Sequence, residues 1–127
     1  MLLLGACASS DPGTDPGRLE GTQWVLDAAS AGSLVDTVPK GARVDLRFQD
    51  GQVSGKSGCN TYGGSYDAGD GSLSFGQMQM TLMACEDGLM QLESAYLDAL
   101  GATTAFQISD SGMLLTGGKV ALSFTTG

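Results

Sequence analysis

Ser57-Gly58-Cys59-Asn60-Thr61-Tyr62-Gly63-Gly64-Ser65-Tyr66, a turn from Asp67 to Gly71, and then Thr81-Leu82-Met83-Ala84-Cys85: this stretch, with a cysteine near each end, decides how the chain folds. From Asn60 to Asp67 the residues alternate, which puts Tyr62, Gly64 and Tyr66 on one side of a strand and Thr61, Gly63 and Ser65 on the other. Glycines inside such a strand mark bulges or the close approach of another backbone, as at the corners of a small barrel. Asp67, Asp70 and Gly71 lack the alternate acidic spacing of a calcium loop and read as a hairpin turn. A bridge from Cys59 to Cys85 would close a loop with a chain-entropy contribution of about 3.5 kcal/mol. Two buried free thiols are the alternative, since free cysteine packs as a small hydrophobe.

Upstream, Ala42 to Phe48 alternates strictly, with Val44, Leu46 and Phe48 facing a core and Arg43, Asp45 and Arg47 facing water. Asp50-Gly51 supplies a hairpin turn, and Val53 to Ser57 returns antiparallel, because a parallel crossover needs a dozen residues that are absent. Gly55-Lys56-Ser57 ends like a phosphate-binding loop, but Gly51 stands one residue too near and the segment lies in a hairpin, not between a strand and a helix. Thr22 to Leu26 is another strand, with Trp24 either a core anchor or a ligand-stacking residue. Ala31 to Lys40 is loop-like.

Downstream, Leu73 to Phe75 and Gln77 to Leu82 read as short strands bent at Gly76. Met78, Met80 and Met83 invite comparison with thioether copper(I) sites, but filling of irregular core space by two of them is the simpler reading. Glu86 to Leu100 is a helix, with Asp87 as its cap and Gly101 as its stop. Leu89, Tyr96 and Leu100 share its apolar stripe, flanked by Leu92 and Leu97. Glu93 falls inside that arc, so it either bends out to water or is buried with hydrogen-bond partners, for which hydroxyls between Thr61 and Tyr66 are candidates. Thr103 to Ser109, Met113 to Thr116 and Lys119 to Phe124 are three further strands.

A chain of 127 residues supports one modest core. Charged residues are only 16% while the net charge is −8, so nucleic acid is a poor partner and a bare anionic membrane surface is repelled. The absence of histidine removes the commonest general base and the commonest transition-metal ligand. Asp, Glu and Tyr remain for acid or base work, without a nucleophile and its partner, so we expect neither catalysis, nor a metal, nor a cofactor.

Gly58-Cys59-Asn60 followed by small residues and tyrosines, then Thr81-x-Met83-Ala84-Cys85 running into a helix that carries Glu93, resembles the META domain of the HslJ type of bacterial heat-shock protein. The resemblance marks Gly58, Asn60, Tyr62, Tyr66, Thr81, Met83 and Glu93 as family-motif positions. It implies an envelope location and a link to heat shock and novobiocin tolerance. Leu4-Gly5-Ala6-Cys7 resembles the lipobox of bacterial lipoproteins, which accounts for the odd cysteine and leaves Cys59 and Cys85 to each other in an oxidising compartment. Residues 1–7 are then a truncated signal, since a leader needs an apolar run of roughly 7 residues or more. Residues 8–20, with Asp11-Pro12-Gly13 and Asp15-Pro16-Gly17, form a flexible tether, and residues 21–127 the META-like domain. Ala8 after the lipidated cysteine suits the periplasmic face of an outer membrane.

The expected fold is mainly β, α+β: a strongly curved antiparallel sheet or small barrel of about eight short strands with one helix packed on it. The expected function is a non-enzymatic, lipid-anchored envelope domain that binds or supports an envelope protein or other component. The alternative is a carrier that takes a small apolar ligand in the barrel mouth, lined by Trp24, Tyr62 and Tyr66.

Overall fold

The computed structural model describes residues 12–30, 43–110 and 112–126. Cys7 with its lipobox, the first part of the tether and the loop at 31–40 lie outside the described residues.

Alternation dictates the first half. In β2 (Asp45–Gln49) Leu46 and Phe48 are fully buried, and Val44 just ahead of it is nearly so. Asp50 and Gly51, both at positive φ, turn the chain in two residues, so that Gln49 pairs with Gln52 at the start of β3 (Gln52–Lys56). β4 (Thr61–Ala68) returns along β3, and β5 (Leu73–Phe75) and β6 (Gln79–Met80) pair with its two halves. β1 (Gln23–Ser30) is longer than its apolar run suggested, because it pairs on both sides. One neighbour is β2; the other is β9 (Val120–Thr126), the last strand of the chain. β7 (Ala105–Ser109) and β8 (Gly112–Gly117) complete the order β5-β4-β3-β2-β1-β9-β8-β7, with β6 on β4.

This antiparallel sheet of nine strands curls until its ends nearly meet. Leu73 N–H donates to Thr104 O at 3.1 Å and Phe106 N–H to Gly71 O at 3.0 Å, so β5 and β7 join at one end. Bending is helped by a register shift between β1 and β9 at Leu26 to Ala28. The result is the expected barrel-like α+β fold.

α1 (Asp87–Ala102) packs its buried side against β5 and β9. Leu92, Glu93, Tyr96, Ala99 and Leu100 are buried, whereas Leu89 and Leu97 are only partly so; the stripe is rotated toward Leu92 and Ala99 relative to the expectation. Two features of its ends also differ. Glu86, not Asp87, occupies the N-cap position without a side-chain bond, and the helix runs through Gly101 to stop at Thr103, whose hydroxyl donates to Ala99 O at 3.1 Å. A side chain that satisfies a last-turn carbonyl does the work expected of a glycine.

The tether assignment needs correcting for residues 12–20. Pro12–Thr14 and Pro16–Arg18 form short 3-10 turns, Gly71 N–H donates to Thr14 O, and Leu19 is 0% exposed in the core with its carbonyl bonded to Trp24 Nε1. Turn-forming composition implies flexibility, but here the turns carry one apolar residue into the barrel. β6 is likewise shorter than expected, and of the three methionines only Met78 packs on the core; Met80 and Met83 are exposed.

Candidate functional site

Ser57 to Asn60 form a tight turn between β3 and β4, closed by Ser57 N–H donating to Asn60 O at 2.9 Å. Gly58 holds φ +102° there, and a Cβ on it would stand 3.2 Å from a Leu92 methyl, so the turn must be small where α1 crosses it. One residue beyond Leu92, Glu93 points into the turn. Its Oε1 accepts from Ser57 Oγ at 2.5 Å and from Asn60 N–H at 2.8 Å, and its Oε2 accepts from Asn60 Nδ2 at 2.9 Å. Asn60 Oδ1 in turn accepts from Thr81 Oγ1 at 2.8 Å and from Met83 N–H at 2.7 Å. These two donors fix which way the amide faces. Cys59 and Cys85 are joined by a disulfide with Cα atoms 6.0 Å apart, tying the same turn to the chain just ahead of α1.

Glu93 is 4% exposed, so it does not bend out to water. Burial by itself would push its carboxyl up, but the hydrogen bonds from Ser57 and Asn60 outweigh burial and hold it below its ordinary value. The carboxylate is therefore ionised, and its donors come from just upstream of the Thr61 to Tyr66 region that was expected to supply them.

A second buried chain of bonds lies alongside. Tyr62 OH donates to Asp45 O at 2.7 Å, which commits its one proton, so Tyr96 OH must be the donor in the 2.7 Å contact between the two phenols. Burial pushes both phenols well up. Asp45 is itself 5% exposed, against the expectation of a wet face. Its carboxylate takes Lys56 N–H at 2.7 Å, Arg43 Nε at 2.7 Å and Gln23 Nε2 at 3.2 Å. The ladder between β2 and β3 opens at this point, and Gly55 leaves the room, since a Cβ there would meet Asp45 O at 2.1 Å.

The fold thus brings together Gly58, Asn60, Thr81, Glu93 and the main chain of Met83, whose side chain points out. Tyr62 stands in the neighbouring phenol pair. Tyr66 is elsewhere: its ring packs edge-on to Phe48 at 4.8 Å and its hydroxyl donates to Glu20, with burial and that acid pushing it up to about 12. Trp24 and Tyr62 do not open a barrel mouth; both belong to one core with Leu46, Phe106 and Phe124. Alternation puts Asp45 in water, and nothing in the sequence gives Ser57 a place in the network, yet both are buried. Only the glycines beside them, Gly58 and Gly55, hint that a neighbouring element comes close there.

Chemically the network is closed. Among the described residues no buried side-chain nitrogen or oxygen lacks a partner, and no cluster of three or more His, Cys, Asp or Glu could hold a metal. No helix among them is long and apolar enough to cross a membrane.

The META domain family model matches residues 17–126, nearly the whole folded part. The chain belongs to the META domain family. This META domain is similar to a protein from Burkholderia xenovorans solved by NMR, at 32% identity over 93% of this chain and 92% of that one, with a TM-score of 0.75. A second NMR structure, at 21% identity and TM-score 0.69 over 87% of this chain and 93% of that one, shares the fold. So does a duf4847 family protein from Bacteroides vulgatus solved by crystallography, at 15% identity and TM-score 0.58 over 84% of this chain and 93% of that one. No curated protein matches. Of the motif positions of this META domain, Gly58, Asn60, Thr81, Met83 and Glu93 clasp the turn, the segment from Thr81 to Cys85 and α1 together, whereas Tyr62 and Tyr66 do not take part.

Proposed function

We propose that this META domain is a non-enzymatic binding module of the bacterial envelope, held to the membrane by a lipid on Cys7. The observation that carries the reading is the fate of its chemically able groups. Ser57 is fully buried with its hydroxyl on Glu93, and Glu93 is an ionised carboxylate held below its ordinary range, hence a weak base. A reactive pair would need access and a raised basicity. The motif is therefore read as a clasp for the scaffold, with recognition left to the outer surface.

The Cys59–Cys85 disulfide supports an oxidising compartment, and Leu4-Gly5-Ala6-Cys7 supports a lipid anchor there, on the periplasmic face of the outer membrane. The family resemblance adds a role under heat or novobiocin stress. A carrier of apolar ligands is the weaker reading, because Trp24 and Tyr62 are committed to the packed core. Expression behind a lipoprotein signal with labelled fatty acid tests the anchor. The protein is expected to take up label, and Cys7→Ser to lose it while staying folded; equal labelling of the two would reject the anchored module.

A further inference from the structure

We propose that the outer face of β2, β3, β4 and β6 binds a carboxylate-bearing polysaccharide chain. The proposal rests on the reading of this domain as an envelope binding module and names the chemistry of what it binds.

Directly paired residues of an antiparallel ladder point to the same side. Gln23 pairs with Arg47, Arg47 with Ser54, Ser54 with Gly63, and Gly63 with Gln79, so a single row crosses five strands on the face turned away from the core. The next row sets Lys56 against Thr61. Where Gly63 offers no side chain the face is hollow. Two adjoining shallow depressions of about 520 and 620 Å³, which share Ser54, Thr61 and Tyr62, form a trough along it. Their shallowness suits a chain lying along the surface better than an enclosed small molecule.

Charge selects the kind of chain. The protein carries only six Lys and Arg against fourteen Asp and Glu, yet Arg43 and Lys56 line one of these depressions and Arg47 stands between Gln23 and Ser54 in the row beside it. β2, β3 and β4 contain just two carboxylates. Asp45 is buried and takes three donors, including the Arg43 Nε, and Asp67 lies at the far end of β4 opposite Ser74. Among the described residues Arg47 and Lys56 have no ion pair. An anion is therefore attracted locally to a protein whose overall field repels it, and arginine matches a carboxylate in two-bonded geometry.

The remaining groups select hydroxyls. Gln23, Ser54, Thr61 and Gln79 each both donate and accept, as sugar hydroxyls require of their partners. The backbone groups beneath are used in the β3–β4 ladder or, at Asp45 and Lys56, by side chains, so the floor of the trough is not the free strand edge at which an extended peptide docks by main-chain bonds.

The test measures retention of the full chain by alginate, a polymer of uronic acids, beside neutral dextran and poly-glutamate, in low and moderate salt. Alginate is expected to bind and the other two not. Arg47→Glu with Lys56→Glu, both exposed positions, should weaken binding by roughly tenfold or more. Ser54→Phe, which fills the trough without altering charge, should weaken it as well. No retention by alginate, equal retention by dextran or poly-glutamate, or indifference to either variant overturns the proposal. Fatty-acid labelling at Cys7 is read separately, so a failure here leaves the anchored module standing, and the reverse.

Discussion

Glu93 is an acid on the apolar side of a helix, and its cost is met by three hydrogen bonds from one turn. Glu93→Gln keeps the shape but turns an amide nitrogen toward a donor. If the amide oxygen stays on Ser57 and the Asn60 N–H, its NH2 faces Asn60 Nδ2, which cannot flip without losing Thr81 and Met83. The change should destabilise the protein by about 1 to 3 kcal/mol at pH 7. Because the folded carboxyl sits below its ordinary value of 4.5, its contribution is complete above that value and is lost as pH falls through the folded pKa. Urea unfolding at pH 7 and at steps of falling pH below 4.5 should therefore show a gap between the two proteins that narrows in acid; a gap constant with pH would refute the charged clasp. Helical geometry was enough to single out Glu93 from the sequence. Ser57 and Asp45 were not legible, because alternation states which side of a strand a residue takes and not whether a neighbouring element seals that side.

At the scale of elements, the strap from Thr81 to Cys85 belongs to no strand. It is held by Asn60 at Thr81 and Met83 and by the disulfide at its end, while Leu82 stands 90% exposed. A β-like sequence that finds a side chain instead of a ladder is why β6 ends at Met80, and no periodicity could have announced it. Replacing both Cys59 and Cys85 by Ser should cost about 2 to 4 kcal/mol. It should also speed hydrogen exchange of the Met83 amide well before that of core amides such as Leu115. Uniform exchange loss across the barrel would mean that the bridge supports the whole fold and not this strap. The helix was located correctly from its period, but its end was misjudged because Gly101 is only a permissive residue, whereas the Thr103 hydroxyl supplies a bond.

For the whole molecule, strand number and antiparallel sense followed from short connections, but strand order did not. The pairing of β1 with β9 joins residues about as far apart as the described chain allows, and local pattern carries no record of such a meeting. The same limit hid the entry of the chain. Between the two Asp-Pro-Gly turns and the first strand Leu19 is an isolated apolar residue in the sequence, yet it is 0% exposed, with its carbonyl bonded to Trp24 Nε1. Leu19→Ala should lower stability by about 2 to 5 kcal/mol, as for any large core side chain. A thermal melt unchanged by it would place residue 19 outside the cooperative unit.

The central position of β1 also has a consequence for how the protein is made. Among the described strands β1 is the first to be synthesised and β9 the last, yet each is the other's neighbour. Until Val120 to Thr126 emerge, one flank of β1 has no partner, α1 lacks one of the walls it packs on, and Phe124 is missing from beside Tyr96. Closure of the barrel is thus deferred until β9 has emerged and is not a progressive accretion from β1 onward.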